Sequence, residues 1–367
     1  MTGAVLQIEG LEKHFPVGRA HGGGKVYAVD GVDLAIGEGE IVGLVGESGS
    51  GKSTVAKCVV RLLEPTAGRI LLHGRDISHL PRRRLRPVRR NVHMVFQDPY
   101  SSLNPRMNVG QTVAEPLRMH RRTLGTTPGS GDGRLEARVD RMLDRVGLSP
   151  DLRYRFPHEL SGGQRQRVGL ARSLVLEPSL LIADEPVSAL DVSVQASILN
   201  LLLDLQRDMG FSCLFVAHDL ATVELLCNRV AVMYLGRIVE TGTRDELFGS
   251  PKHPYTQSLL SAAVLPDPVL QRTRHRVVLT GDIPSPIDPP TGCHFHTRCP
   301  VVDLPRCAEV VPELVAVGSG PGASAGGPEG AGGPEGAGAG IHLAACHLRG
   351  PGGEAPDVTG AGTTGAG

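Results

Sequence analysis

Apolar residues recur along this chain at two different spacings, and the alternation between them is the first structural signal. Ile41, Val42, Leu44 and Val45 form a short apolar run, the pattern of a buried strand. Val55, Val59, Leu62 and Leu63 follow at helical spacing until Glu64-Pro65 stops the helix. Further strands are predicted at Ile70–Leu72, Val92–Phe96, Leu180–Ala183 and Cys213–Ala217. Val230–Tyr234 and Arg237–Glu240 bracket Leu235-Gly236 and read as a hairpin. Arg134–Val146 places Leu135, Val139, Met142, Leu143 and Val146 on one helical face, behind a polar Gly-rich loop from Thr123 to Gly133. Strand and helix patterns in alternation imply an α/β sheet.

After Gly249 the pattern breaks, with Pro251, Pro254, Pro266, Pro268, Pro284, Pro286, Pro289 and Pro290 in quick succession. A boundary is expected there, separating a domain over 1–250 from an extension over 251–350. Residues 318–340 hold only Gly, Ala, Pro, Ser and Glu, with the phrase Gly-Gly-Pro-Glu-Gly-Ala-Gly repeated. Such a segment buries too little apolar surface to offset its ordering entropy, so a flexible insert is expected, and a disordered tail over 351–367 likewise.

Composition narrows the functional classes. The 38 basic and 38 acidic residues of the 367 balance, so no overall field favours nucleic acid or an anionic membrane. The run Arg82-Arg83-Arg84-Leu85-Arg86, with Arg89 and Arg90, has no aromatic residue interleaved and reads as a solvated surface segment. No stretch approaches the roughly 20 apolar residues that cross a bilayer. Met1-Thr2-Gly3-Ala4 lacks the charged start of a secretory signal, so a cytoplasmic protein with reduced thiols is expected. Cys58, Cys213 and Cys227 lie in apolar patterns and read as small core residues; four more cysteines cluster towards the C-terminus.

The chemistry begins at Gly46-Glu47-Ser48-Gly49-Ser50-Gly51-Lys52-Ser53, followed by Thr54, which fits the phosphate-loop pattern G-x-x-x-x-G-K-[ST] at every fixed position. Placed between a strand and a helix, its backbone N–H groups and the helix N-terminus make an anion cradle. Lys52 would reach the β- and γ-phosphates and the Ser53 hydroxyl would ligate Mg²⁺. The pattern implies binding of a nucleoside triphosphate. Leu180–Ala183 runs into Asp184-Glu185, two carboxylates at the end of an apolar strand, where ligands of open α/β sheets bind. Asp184 suits a Mg²⁺ site opposite Ser53, and Glu185 suits a general base for the attacking water. Ser161-Gly162-Gly163-Gln164 has capping-box spacing ahead of a helical pattern, and such a helix start also aims free N–H groups outward.

Together the loop, the acidic strand and the Leu160-Ser161-Gly162-Gly163-Gln164 signature resemble the nucleotide-binding subunit of an ABC transporter over roughly residues 5 to 250. The resemblance implies a P-loop NTPase (RecA-like) α/β core with an antiparallel β subdomain and a helical signature subdomain over about 98–164, plus a small irregular C-terminal extension. It implies head-to-tail closure of two subunits around ATP, with Ser161 and Gly163 contacting the γ-phosphate held by the partner. Gln97 matches the family glutamine that senses Mg²⁺ and the transmembrane partner, and Ser188-Ala189-Leu190-Asp191 the loop that communicates across the dimer. His218 matches the γ-phosphate-contacting histidine. Phe15 lies where the family places an adenine-stacking aromatic, with Tyr27 as competitor. With Lys52, Asp184, Glu185 and His218 all present, hydrolysis is expected as well as binding.

Phe96-Gln97-Asp98-Pro99-Tyr100-Ser101-Ser102-Leu103-Asn104-Pro105, His253-Pro254-Tyr255-Thr256 and Gly281-Asp282-Ile283-Pro284-Ser285-Pro286 resemble the oligopeptide and dipeptide importers within that family. Some members bind a [4Fe–4S] cluster in the extension, and the matching residues are Cys293, Cys299, Cys307 and Cys346, with Zn²⁺ as the alternative and His294, His296, His342 and His347 as substitute ligands. The resemblance further implies two transmembrane permease subunits, a sister ATPase subunit forming a heterodimer, an extracytoplasmic solute-binding protein, and a place on the cytoplasmic face of the membrane. No nucleic-acid partner is expected. The rivals are a nickel or other small-solute importer, an exporter ATPase, a soluble ABC ATPase acting on ribosomes or DNA, and a metal-dependent regulatory module.

Overall fold

A computed structural model describes residues 3–18, 24–98, 102–120, 132–188, 190–262, 279–317 and 341–348, with Pro356 and Val358. Two long strands come first, β1 (Leu6–Pro16) and β2 (Lys25–Ile36), paired antiparallel from Leu6↔Ile36 to Pro16↔Lys25. β3 (Ile41–Val45) feeds α1 (Lys52–Val59), and β4 (Ala67–Leu72) with β5 (Arg75–Asp76) returns beside β1. The resulting antiparallel sheet has the order β2-β1-β4-β5. Then come α2 (Arg82–Val88), β6 (Val92–Val95), α3 (Val109–Met119), α4 (Asp132–Arg145) and α5 (Gly162–Leu174). β7 (Leu180–Asp184), α6 (Val192–Met209), β8 (Ser212–Ala217), α7 (Leu220–Leu226) and the hairpin β9 (Arg229–Tyr234) and β10 (Arg237–Thr243) follow. The remaining described elements are α8 (Arg244–Gly249), α9 (Pro254–Ala262), α10 (Arg306–Glu309), β11 (Val315–Ala316) and β12 (Leu343–Ala344).

The second sheet has the order β11-β12-β10-β9-β3-β8-β7-β6. From β9 to β6 its strands are parallel; the β10, β12 and β11 edge is antiparallel. β3, β7 and β8 are buried at every residue, which is why they read as unbroken apolar runs rather than alternations. Alternate residues serve opposite faces. Val42, Leu44, Leu180, Ile182 and Val216 join Val55 and Val59 of α1 and Ile8, Leu11 and Ile70 of the first sheet. Ile41, Val45, Leu181, Ala183 and Phe215 join Ile198 and Leu202 of α6.

The strands expected from the apolar runs form at those places, and β9 and β10 turn through Leu235 and Gly236, both at positive φ (40° and 83°). Leu135, Val139, Met142, Leu143 and Val146 are all buried, as the helical pattern required. One expectation needs correcting. The first helix stops at Val59: Arg61 takes a left-handed conformation, its N–H bonds Cys58 O (2.9 Å) and that of Leu62 bonds Lys57 O (2.9 Å), leaving Leu62 55% exposed. Of the expected loop over Thr123–Gly133, residues up to 131 lie outside the described residues, and Gly133 is already helical in α4. The apolar pattern predicts neither β1 nor β2, although the resemblance implies an antiparallel β subdomain. The insert over 318–340 and nearly all of the tail also lie outside the described residues.

The arginine run becomes α2, exposed except for Leu85 and Val88. Beyond residue 250 the chain returns to the core: Tyr255, Leu260 and Phe295 belong to the same buried cluster as Phe215, and β12 extends the second sheet through Glu240↔Ala344 and Thr241↔Leu343.

Candidate active site

Because β6, β7, β8 and β3 run parallel, their C-terminal ends share one edge of the sheet. Gln97 lies just beyond β6, Asp184 ends β7, Glu185 follows it, His218 follows β8 and the Gly46–Ser53 loop follows β3. Topology therefore collects residues from four separate stretches of sequence in one place.

The loop is shaped by close backbone approach. A Cβ on Gly46 (φ 154°) would stand 2.1 Å from Met233 O, and one on Gly51 (φ 107°) 2.1 Å from Ala28 O, so neither position accepts a side chain. The Lys52 ammonium lies inside the loop, donating to Gly46 O (2.7 Å) and Glu47 O (2.8 Å), 4% exposed. Burial lowers its pKa, against the attraction of Glu185, Asp184 and Glu47. Ser53 at the start of α1 donates its hydroxyl to Asp184 Oδ1 (2.9 Å). Burial raises the Asp184 pKa, opposed by that hydrogen bond. A buried acid beside a hydroxyl suits a hard divalent cation, whose charge would offset the desolvation and which takes both ligand types. Ser53 and Asp184 thus fit Mg²⁺.

Glu185 stands at the centre. Its Oε2 accepts from Gln97 Nε2 (2.9 Å) and lies 3.4 Å from His218 Nδ1, and its backbone is left-handed (φ 46°) with the N–H bonded to Val216 O (3.0 Å). Non-glycine residues in that region cost on the order of 1–3 kcal/mol and cluster where geometry is functional. The arrangement holds a carboxylate at the mouth of an anion cradle, able to take a proton from water.

At the start of α5, Ser161 Oγ accepts from Gln164 N–H (3.3 Å) and Gln164 Oε1 accepts from Ser161 N–H (2.9 Å), the expected reciprocal cap. Gly162 and Gly163 are pressed against Leu190 and Val194: a Cβ would come within 3.2 and 2.8 Å of them. Asp191 is the N-cap of α6 without a side-chain cap bond. The signature makes no hydrogen bond to this chain's own phosphate loop among the described residues. Across β1 and β2, Phe15 pairs with Val26 and Tyr27 with His14: Lys13 Nζ sits 5.1 Å above the Phe15 ring, and Tyr27 meets His14 edge-on at 4.6 Å.

The four C-terminal thiols share one neighbourhood. Burial pushes Cys293 up to about 11, reinforced by Cys346 and Cys307, and Cys299 up to about 12, reinforced by Cys346, Cys293 and Cys307. All four are free thiols, and among the described residues no group of three or more His, Cys, Asp or Glu is arranged to hold a metal ion. The flanking histidines are engaged elsewhere. His342 bonds Glu240 (2.7 Å), His296 the Cys293 carbonyl (2.8 Å), His294 that of Leu235 (3.3 Å) and His347 that of Val310 (2.8 Å).

Sequence reasoning missed one contact altogether. Glu47 in the phosphate loop is bound by Arg298 and Tyr255 from the extension. A separation of 251 residues between Arg298 and Glu47 leaves no local signal that would have found it.

The ABC transporter family profile matches residues 29–188, and that of the oligopeptide/dipeptide transporter C-terminal region matches residues 239–307. A probable peptide ABC transporter ATP-binding protein of Sinorhizobium fredii is 48% identical, covering 96% of this chain and 92% of its own. The oligopeptide transport ATP-binding protein OppF of Salmonella typhimurium is 48% identical, over 84% of this chain and 92% of its own. Among solved structures, cbiO1 of Clostridium perfringens, part of an ABC transporter complex, aligns with TM-score 0.57 and 32% identity over 67% of this chain and 91% of its own. A dimeric ATP-binding cassette in a post-hydrolysis state with ADP and Pi aligns with TM-score 0.57 and 28% identity, over 65% of this chain and 98% of its own.

Proposed function

The chain belongs to the ATP-binding subunits of ABC transporters of the oligopeptide/dipeptide type, and from that premise we propose that it hydrolyses ATP to drive uptake of peptides or related small solutes. One observation carries the hydrolytic reading: the Glu185 carboxylate is held between Gln97 and His218, at the same sheet edge as the Ser53–Asp184 pair.

In this reading the loop N–H groups from Ser48 to Thr54 and the Lys52 ammonium bind the phosphates. Ser53 and Asp184, with Gln97 nearby, would hold Mg²⁺, which supplies charge neutralisation at the phosphates. Glu185 orients the attacking water and accepts its proton, and His218 steadies the γ-phosphate end of the site. Phe15 stacks on the adenine. Ser161, Gly162, Gly163, Gln164 and Asp191 act across a dimer on the partner's nucleotide, which agrees with their standing apart from this chain's own loop.

As a member of this family the subunit works in an ATPase dimer with membrane permeases. The finer assignments are proposals: a heterodimer with a sister ATPase, two transmembrane permease subunits with this subunit on the cytoplasmic face of the membrane, and a separate extracytoplasmic solute-binding protein. No helix among the described residues is long and apolar enough to cross a membrane. A cleft beside Gln97, lined by Leu62, Met94, Phe96, Glu115, Met119 and Arg172, is the proposed permease contact. Exposed Leu62, Phe96 and Met119 there support it. Residues 1–250 are proposed as the cassette and 251–350 as the extension.

A [4Fe–4S] cluster or Zn²⁺ at Cys293, Cys299, Cys307 and Cys346 is proposed on donor chemistry and proximity alone, because the thiols do not form a ligand set in this structure. Iron, sulfide and zinc assays after anaerobic purification test it, and the absence of all three sinks it. The transport reading is tested by purifying the Glu185→Gln variant from solubilised membranes with ATP. Recovery with two membrane-spanning subunits and a sister ATPase is expected; recovery from the soluble fraction with ribosomal proteins or DNA overturns it.

A further inference from the structure

The extension reaches the phosphate loop at Glu47 and binds it through both side chain and backbone. Arg298 grips the carboxylate as a fork, Nη1 to Oε2 at 2.7 Å and Nη2 to Oε1 at 3.2 Å. The arginine side chain is 7% exposed and the glutamate 25%, so this ion pair is far less solvated than a surface pair. Tyr255 of α9 accepts the Glu47 N–H with its hydroxyl at 2.8 Å. That N–H belongs to the same peptide unit as the Gly46 carbonyl, which accepts the Lys52 ammonium at 2.7 Å. The Gly46–Glu47 peptide is thus tied at one end to the extension and at the other to the lysine expected to meet phosphate.

The two anchors are themselves fixed. Tyr255 is fully buried, its ring 4.7 Å from Tyr234 and 5.4 Å from Phe295. Arg298 stands over the Tyr234 ring at 5.9 Å, in the short turn His296–Arg298 that leads into Cys299. That turn is held to the rest of the extension by Cys293 N–H bonding Cys307 O at 2.8 Å.

We infer that Arg298 and Tyr255 are positioning residues: by holding Glu47 they keep the phosphate loop in its ATP-receiving shape, so the extension is part of this subunit's nucleotide site. The inference rests on the ATP-binding reading. A loop pre-shaped by fixed neighbours binds more tightly because less ordering remains to be done on binding.

The test is a titration of the full-length chain with a fluorescent ATP analogue and Mg²⁺, alongside steady-state phosphate release. Tyr255→Phe removes only a hydroxyl and leaves the ring in the core, so it is the cleanest variant. It and Arg298→Ala are each expected to weaken ATP binding about tenfold, the equivalent of about 1.4 kcal/mol, and to raise KM for ATP more than they lower kcat. Arg298→Ala with Glu47→Ala together should bind no more weakly than Arg298→Ala alone, because both act through one contact. Should Arg298→Ala not fold, Tyr255→Phe decides. Wild-type affinity in Tyr255→Phe, with or without a lower Tm, overturns the inference while leaving the ATP reading intact. Additive losses in the double variant overturn it as well. A wild-type chain that binds no ATP overturns both.

Discussion

Glu185 occupies a left-handed backbone position (φ 46°) with its carboxylate in the reach of Gln97 and His218, and its chemistry is separable from phosphate binding. Glu185→Gln keeps the shape and removes the basicity. Phosphate release is therefore expected to cease while ATP binding persists; undiminished turnover would remove Glu185 from its role. Lys52→Ala should instead weaken ATP binding by roughly ten- to a hundredfold, since charge-assisted hydrogen bonds contribute about 1.5–3 kcal/mol each, read by the same nucleotide titration. These roles were legible as residue types at fixed spacing, because the loop pattern and the acids after an apolar strand are local features. The Arg298 and Tyr255 contacts with Glu47 were not, since nothing in either segment's own sequence refers to the other.

Among the elements, α5 begins with a reciprocal Ser161–Gln164 cap. Ser161→Ala should cost about 1 kcal/mol of stability, seen as a lower Tm. In the proposed dimer it should also slow turnover while leaving binding at the chain's own loop unchanged. Gly51→Ala is expected to be harsher, because the added Cβ would lie 2.1 Å from Ala28 O on β2 and the loop must move; both Tm and ATP affinity should fall. β3, β7 and β8 were readable because full burial makes a strand uniformly apolar. The C-terminal end of α1 was not. Leu62 and Leu63 keep the helical phase, but the Arg61 guanidinium, bonded to the carbonyls of Ile77 and Ser78, accompanies a left-handed Arg61 that turns the chain aside. β1 and β2 escaped notice because they carry mixed burial, with charged residues such as Glu12 and Lys25 interrupting the alternation.

For the whole molecule, the extension is seated by a buried network. Glu240, 0% exposed, accepts from His342 (2.7 Å) and from the N–H groups of Lys252 (2.6 Å) and His253 (2.9 Å). His253 Nδ1 in turn accepts the Tyr255 N–H (3.1 Å), so acid acts on the same segment that holds the phosphate loop. Burial lowers the His253 pKa to about 4, against the attraction of Glu240, from an ordinary 6.5. The unfolded chain then binds the extra proton between those values. Stability contributed by the neutral ring is complete above pH 6.5 and is lost as pH falls towards 4, by roughly 1.4 kcal/mol per pH unit. Tm measured from pH 7 to 5 should decline, and less steeply in a His253→Asn variant. By itself the sequence determined the phosphate loop, the acidic strand, the signature and the buried parallel strands, because each is written in neighbouring residues or in periodicity. Only the tertiary structure decided that Gln97, Asp184, Glu185 and His218 meet at one sheet edge, and that the extension is bound to Glu47. Those are consequences of strand order and of burial between segments far apart in the chain, which no local pattern encodes.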